Sequence, residues 1–154
     1  MLSEQVIVKL NEMIGKYPDK RSAILPALQV AQKQQGYIPV DVMRDIAEFL
    51  DVEPIEVWET ASYYSMLYRE PVGKYVIQVC TNISCALLGA EHLVNYLEKK
   101  LGIKVNQTTL DKKYTLMTVE CLGGCDSAPV MQINDEYYTN LTPDKIDSIL
   151  ASLP

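Results

Sequence analysis

Tyr75-Val76-Ile77-Gln78-Val79-Cys80-Thr81-Asn82-Ile83-Ser84-Cys85 is the stretch on which the fold turns. Lys74 to Val79 is dense in β-branched and aromatic residues, the composition of a buried strand. Cys80 closes that strand, and Cys85 stands before a helical pattern. Ala86 to Lys100 is expected to form this helix, with Leu87, Leu88, Leu93, Val94, Leu97 and Leu101 on its apolar side and Gly102 as its stop. The arrangement then recurs. Tyr114 to Val119 alternates as a strand, and Cys121-Leu122-Gly123-Gly124-Cys125 follows it.

Outward from there, Val130 to Ile133 and Tyr137 to Thr139 flank Asn134-Asp135-Glu136, which predicts a hairpin. Thr142-Pro143 opens a last helix through Ile146, Ile149 and Leu150. The predicted order is strand, helix, loop or short strand, three strands, helix. That is a small sheet flanked by helices, of thioredoxin-like type.

The first half reads differently. Val6, Ile7, Leu10, Met13, Ile14 and Tyr17 recur at helical spacing, with Ser3 as cap and Pro18 as stop. A second helix runs from near Ser22 to Gly36. Pro26 fits only its first turn, so the regular part is expected to begin about one turn after Ser22. A third carries Val42, Met43, Ile46, Phe49 and Leu50. A fourth opens at Pro54 and continues through Val57, Trp58 and Ala61. Glu70-Pro71-Val72-Gly73 is a cluster of helix breakers. It divides an N-terminal helical bundle, residues 1–70, from an α+β or α/β domain, residues 71–154.

The chain has 154 residues, 48% hydrophobic and 22% charged, with 14 Lys+Arg against 20 Asp+Glu. That composition belongs to a folded protein. The net charge of −6 argues against nucleic acid and anionic membranes as partners. No apolar run reaches the ~18 residues that span a bilayer. The acidic start lacks a secretory or mitochondrial profile, so a reducing cytoplasm is expected, where disulfides are rare.

All four cysteines lie in the second half, as C-x4-C, 35 intervening residues, and C-x3-C. Pairs placed past the ends of two strands converge at one edge of a sheet. Four thiolates brought together in a reducing compartment need a metal to hold them. A structural zinc is one solution, although these spacings are at the loose end for it. A [2Fe–2S] cluster is another, because its two irons each take two thiolates and the pairs need not be tight. Buried cysteines used for packing or a disulfide are the third. The glycines at 123 and 124 let the backbone fold close around a bulky centre, or simply make a tight turn. Thr81, Asn82 and Ser84 offer donors between the first pair, and the helix after Cys85 offers its positive end.

With these residues in place, the chain resembles the [2Fe–2S] subunit of the NADH-oxidising module of respiratory complex I, NADH:quinone oxidoreductase. That family also serves soluble NAD(P)-linked hydrogenases and formate dehydrogenases. The resemblance runs through Gln34-Gln35-Gly36-Tyr37-Ile38-Pro39, Val57-Trp58-Glu59-Thr60-Ala61-Ser62-Tyr63-Tyr64 and Gly73-Lys74-Tyr75-Val76-Ile77. It continues through Cys80 to Cys85, Cys121 to Cys125, and Ala128-Pro129. It implies an N-terminal helical bundle followed by a thioredoxin-like [2Fe–2S] ferredoxin domain. It also implies one [2Fe–2S] cluster, with Cys80 and Cys85 on one iron and Cys121 and Cys125 on the other.

The implied role is electron transfer inside a complex peripheral to a bacterial inner membrane, with FMN and NADH bound by a partner flavoprotein subunit. This chain carries neither G-x-G-x-x-G nor a Walker loop, in keeping with that division of labour. Ligation by thiolates alone predicts a reduction potential toward the negative end of the iron–sulfur range. The alternatives are the equivalent subunit of a soluble hydrogenase or formate dehydrogenase and, from another class, a zinc-stabilised binding module. His92, the only histidine, is expected on a solvated helix face. Tyr63, Tyr64, Met66, Leu67 and Tyr68 suit either bundle packing or a partner contact. The flavoprotein dock is expected at this junction and the cysteine loops. The isomer of the Ala128–Pro129 bond is left open by the sequence.

Overall fold

The computed structural model describes residues 2–154, which form two compact units, one ending at Pro71 and the other comprising Val72–Pro154.

The first unit is helical. In α1 (Glu4–Ile14) the Ser3 hydroxyl accepts the Val6 amide at 3.3 Å. The helix ends at Gly15 rather than running through Tyr17 to Pro18, because glycine is a poor helix residue and the chain turns there. A short 3₁₀ turn at Arg21–Ala23 leads into α2 (Ile24–Gln35), with Pro26 inside its first turn. Gly36 stops α2 in the left-handed region at φ +81°, and its amide donates to the Gln32 carbonyl at 2.7 Å. α3 (Val40–Leu50) is capped by Asp51 at φ +54°. α4 (Pro54–Tyr63) begins with a capping box between Glu53 and Glu56. Leu10, Leu28, Ile38, Ile46, Leu50 and Val57 fill the core between these helices.

The second unit is built on β1 (Tyr75–Cys80), buried at every position. β3 (Tyr114–Val119) lies parallel to it on one side, with Tyr75 opposite Tyr114 and Cys80 opposite Val119. β4 (Met131–Ile133) lies antiparallel on the other side. The two-residue β2 (Gln107–Thr108) and β5 (Glu136–Tyr138) complete a five-stranded mixed sheet in the order β2-β3-β1-β4-β5. β4 and β5 pair Ile133 with Glu136, so Glu136 belongs to the strand and only Asn134-Asp135 make the turn. α7 (Pro143–Ser152) closes the unit, with the Thr142 hydroxyl accepting the Lys145 amide. Ile77, Leu97, Leu116, Met131 and Ile146 are wholly buried in its core.

The crossover from β1 to β3 departs from the expected single helix over 86–100. It consists of α5 (Ile83–Leu87) and α6 (Ala90–Leu101), broken by Gly89 at φ +91°. That left-handed residue ends the helical hydrogen-bond ladder and re-aims the chain. Leu87 and Leu88 therefore leave the apolar side assigned to them and are 82% and 60% exposed. Leu93 and Leu97 do face the core, and His92 is exposed.

Candidate metal centre

Parallel neighbours end at the same edge of a sheet. Because Cys80 stands opposite Val119, the chain leaving β3 reaches Cys121 two residues beyond that register position. The Thr81 amide donates to the Val119 carbonyl at 2.9 Å and its hydroxyl to the same oxygen at 3.2 Å, tying the two strand ends together. Thr81 is thereby used for this tie and not for a sulfur.

Cys85 lies within α5 rather than before a helix. Asn82 caps α5 by accepting the Ile83 amide on its own side chain at 2.9 Å, so the helix start is already satisfied locally. Cys125 opens the short 3₁₀ turn Cys125–Ser127, and the Ala128–Pro129 bond that follows is cis. The Cys121–Cys125 loop turns through Gly123 at φ +74°. At Gly124 a Cβ would meet Val130 Cγ2 at 3.0 Å, so the lack of a side chain lets this loop sit against β4's approach.

All four thiols are free. The Cys80 Sγ lies 3.9 Å from the carbonyl oxygen of Glu120, the residue before Cys121. Cys80 and the corner that carries Cys121 therefore stand side by side at one sheet edge. Among the described residues no group of three or more His, Cys, Asp or Glu side chains is gathered to hold a metal ion as it stands. A single zinc draws four sulfurs to one point. Two irons take two thiolates each, and four free cysteines in two sequence pairs are a donor set of that kind.

The environment of the sulfurs is unequal. Cys80 and Cys85 are 2% and 1% exposed, packed with Ala90, Ala128, Val130 and the half-buried Leu122, whereas Cys121 and Cys125 are exposed. Burial pushes the Cys80 thiol up, but amides of Asn82 and Leu122 and the Cys85 and Cys121 thiols outweigh it, leaving Cys80 below the ordinary cysteine value. Burial and the neighbouring Cys80 hold Cys85 above that value, against the amide of Val130. The Gly123 amide donates to Cys121 Sγ at 3.3 Å. Backbone N–H groups aimed at sulfur are what an anionic cluster needs.

Of the three residues offered as donors between the first pair, Asn82 serves, through its amide. Val130 was not singled out as a donor by sequence. The signal for Val130 is positional: a β-branched residue directly after Ala128-Pro129, whose carbonyl accepts the Cys80 amide at 3.0 Å.

Residues 10–154 match the profile of the thioredoxin-like [2Fe–2S] ferredoxin family. The chain is 47% identical over 144 residues to the second NADH-quinone oxidoreductase E subunit of Rhizobium meliloti (strain 1021), covering 94% of this chain and 86% of that one. It is 48% identical over 146 residues to the NADH-quinone oxidoreductase E subunit of Rickettsia conorii (strain ATCC VR-613 / Malish 7), covering 93% and 87%. Among solved structures it is similar to an NAD+-reducing [NiFe]-hydrogenase in the H2-reduced state, with a TM-score of 0.73 at 24% identity, over 86% of this chain but only 23% of the hydrogenase chain. That likeness is one of fold. With the profile matched from Leu10 to the last residue and relatives 47–48% identical over nearly the whole chain, the chain is a member of the thioredoxin-like [2Fe–2S] ferredoxin family.

Proposed function

We propose that this chain is the electron-carrying subunit of an NADH-quinone oxidoreductase, with one [2Fe–2S] cluster held by Cys80 and Cys85 on one iron and by Cys121 and Cys125 on the other. The register that sets Cys80 opposite Val119, two residues before Cys121, supports the four cysteines as ligands, and their division between the irons is what the family resemblance implies. The choice of complex is supported by the relatives from Rhizobium and Rickettsia, both named as components of that oxidoreductase. When bound, such a cluster takes up and releases one electron at a time.

The chain's own residues bind and shield. The amides of Asn82, Leu122, Gly123 and Val130 stabilise negative charge on the sulfurs, and Leu122, Ala128 and Val130 keep water from the inner pair. Hydride chemistry belongs to a partner flavoprotein subunit that binds NADH and FMN. Among the described residues no helix is long and apolar enough to cross a membrane. The chain works on the cytoplasmic side as a peripheral part of its complex.

The partner is proposed to dock on the cysteine loops and the apolar face of α5, and to engage the aromatic segment of the first unit. Ile83, Leu87 and Leu88 expose 73%, 82% and 60% of their surface around Cys85, an unusual concentration for a free-standing face. Tyr63, at 82% exposed, and Met66, at 50%, belong to the segment expected to pack or to meet a partner, and these two face solvent. Replacing Ile83, Leu87 and Leu88 together by serine is expected to abolish co-purification with the flavoprotein subunit while leaving the urea midpoint unchanged. Undiminished co-purification would contradict the dock. Capture by a hydrogenase's flavoprotein subunit in place of the quinone reductase's would move the chain to the soluble-enzyme reading.

A further inference from the structure

The two cysteine pairs differ in access, and the order in which iron reaches them follows. Cys121 and Cys125 face solvent on a loop that turns at Gly123, around which a Cβ would find open space. Cys80 and Cys85 lie behind that loop. The Leu122 side chain packs on the small cluster of Cys80, Cys85, Ala90, Ala128 and Val130. The inner thiols are 2% and 1% exposed, against the exposed outer pair.

We infer that Cys121 and Cys125 are the entry point for cluster loading, and that the inner pair completes ligation only after the outer loop has captured the donor's cluster. This rests on the electron-carrier reading above. The donor class is a [2Fe–2S] cluster ligated by low-molecular-weight thiolates such as glutathione. At each exchange one iron–sulfur bond to a donor thiolate breaks and one to a cysteine Sγ forms. The cysteine's proton passes to the departing thiolate, and no oxidation state changes. Thiol exchange rates follow access, so the exposed pair reacts first.

The test mixes the cluster-free full chain with a glutathione-ligated [2Fe–2S] cluster in a stopped-flow instrument and follows visible absorption and circular dichroism. Two phases are expected: capture that depends on donor concentration, then a concentration-independent closure. Cys121→Ser or Cys125→Ser should lower the capture constant about tenfold or more, because access sets that rate. Cys80→Ser or Cys85→Ser should leave capture within about twofold and remove the closure phase. Inner-pair variants that slow capture as much as outer-pair variants would overturn the order of entry.

Iodoacetamide labelling of the wild-type chain, mapped by mass spectrometry, answers the same question where a variant does not fold. Cys121 and Cys125 should be modified about tenfold faster than Cys80 and Cys85, and equal rates would overturn the proposal. Failure of every chain, wild type included, to take up the cluster would overturn the electron-carrier reading itself and the order of entry with it.

Discussion

Gly73 sits where β1 enters the sheet, and its missing side chain is a structural requirement. A Cβ there would lie 2.8 Å from the Tyr114 carbonyl carbon and 2.9 Å from its nitrogen, while the Gly73 amide donates to Thr115 Oγ1 at 2.6 Å. Gly73→Ala must push β1 from β3 and is expected to cost about 1–3 kcal/mol in urea unfolding; an unchanged midpoint would contradict this packing. Glu98 shows the electrostatic counterpart. Its carboxylate accepts Lys104 Nζ at 2.7 Å and the Val105 amide at 3.1 Å, which together hold it below the ordinary glutamate value of 4.5. A depressed carboxylate favours the folded state above its unfolded value, and that contribution is lost as pH falls through the folded value. Glu98→Gln should therefore lower the urea midpoint at neutral pH, with the difference closing as pH falls below the ordinary glutamate value of 4.5. A difference that persists in acid would show that the effect is not one of charge. At this scale the four cysteines were legible because their side chains and spacing announce them. The donor from Val130 was not, because a backbone amide's direction carries no side-chain signature.

Among the elements, the crossover between β1 and β3 teaches most. Leu87, Leu88, Leu93 and Leu97 form one apolar list in sequence, and helical periodicity joins them into one helix. The fold breaks that helix at Gly89 and turns the first two leucines outward around Cys85. A glycine inside an apolar pattern is tolerated as often as it breaks a helix, so only the tertiary path decides. No atom lies within 4 Å of a Cβ built on Gly89, so Gly89→Ala meets strain alone, from φ +91°. The expected cost is about 1–2 kcal/mol in thermal or urea unfolding. A stabilised variant would mean that the break between α5 and α6 is not fixed. The long strands, the hairpin and α7 were readable because composition and turn chemistry agreed there. The two-residue β2 was not resolved from a loop, since its existence depends on pairing with β3.

For the whole molecule, the breaker cluster at 70–73 coincides with the passage from one compact unit to the next at Pro71–Val72. Each unit carries its own core, which is why two different periodicities could be read from one chain. The sheet's central feature, the parallel pairing of β1 with β3, was implied by a strand–helix–strand order. Its register was not, and the register is what places Cys80 and Cys121 at one edge. The electron-carrying role depends on these two corners meeting around a pair of irons. The most direct measurement is metal analysis of the full-length protein, together with its electron paramagnetic resonance spectrum after dithionite reduction. About two irons per molecule and a paramagnetic signal appearing on reduction are predicted for a four-thiolate [2Fe–2S] centre. One zinc per molecule in a colourless protein, with no signal on reduction, would contradict it.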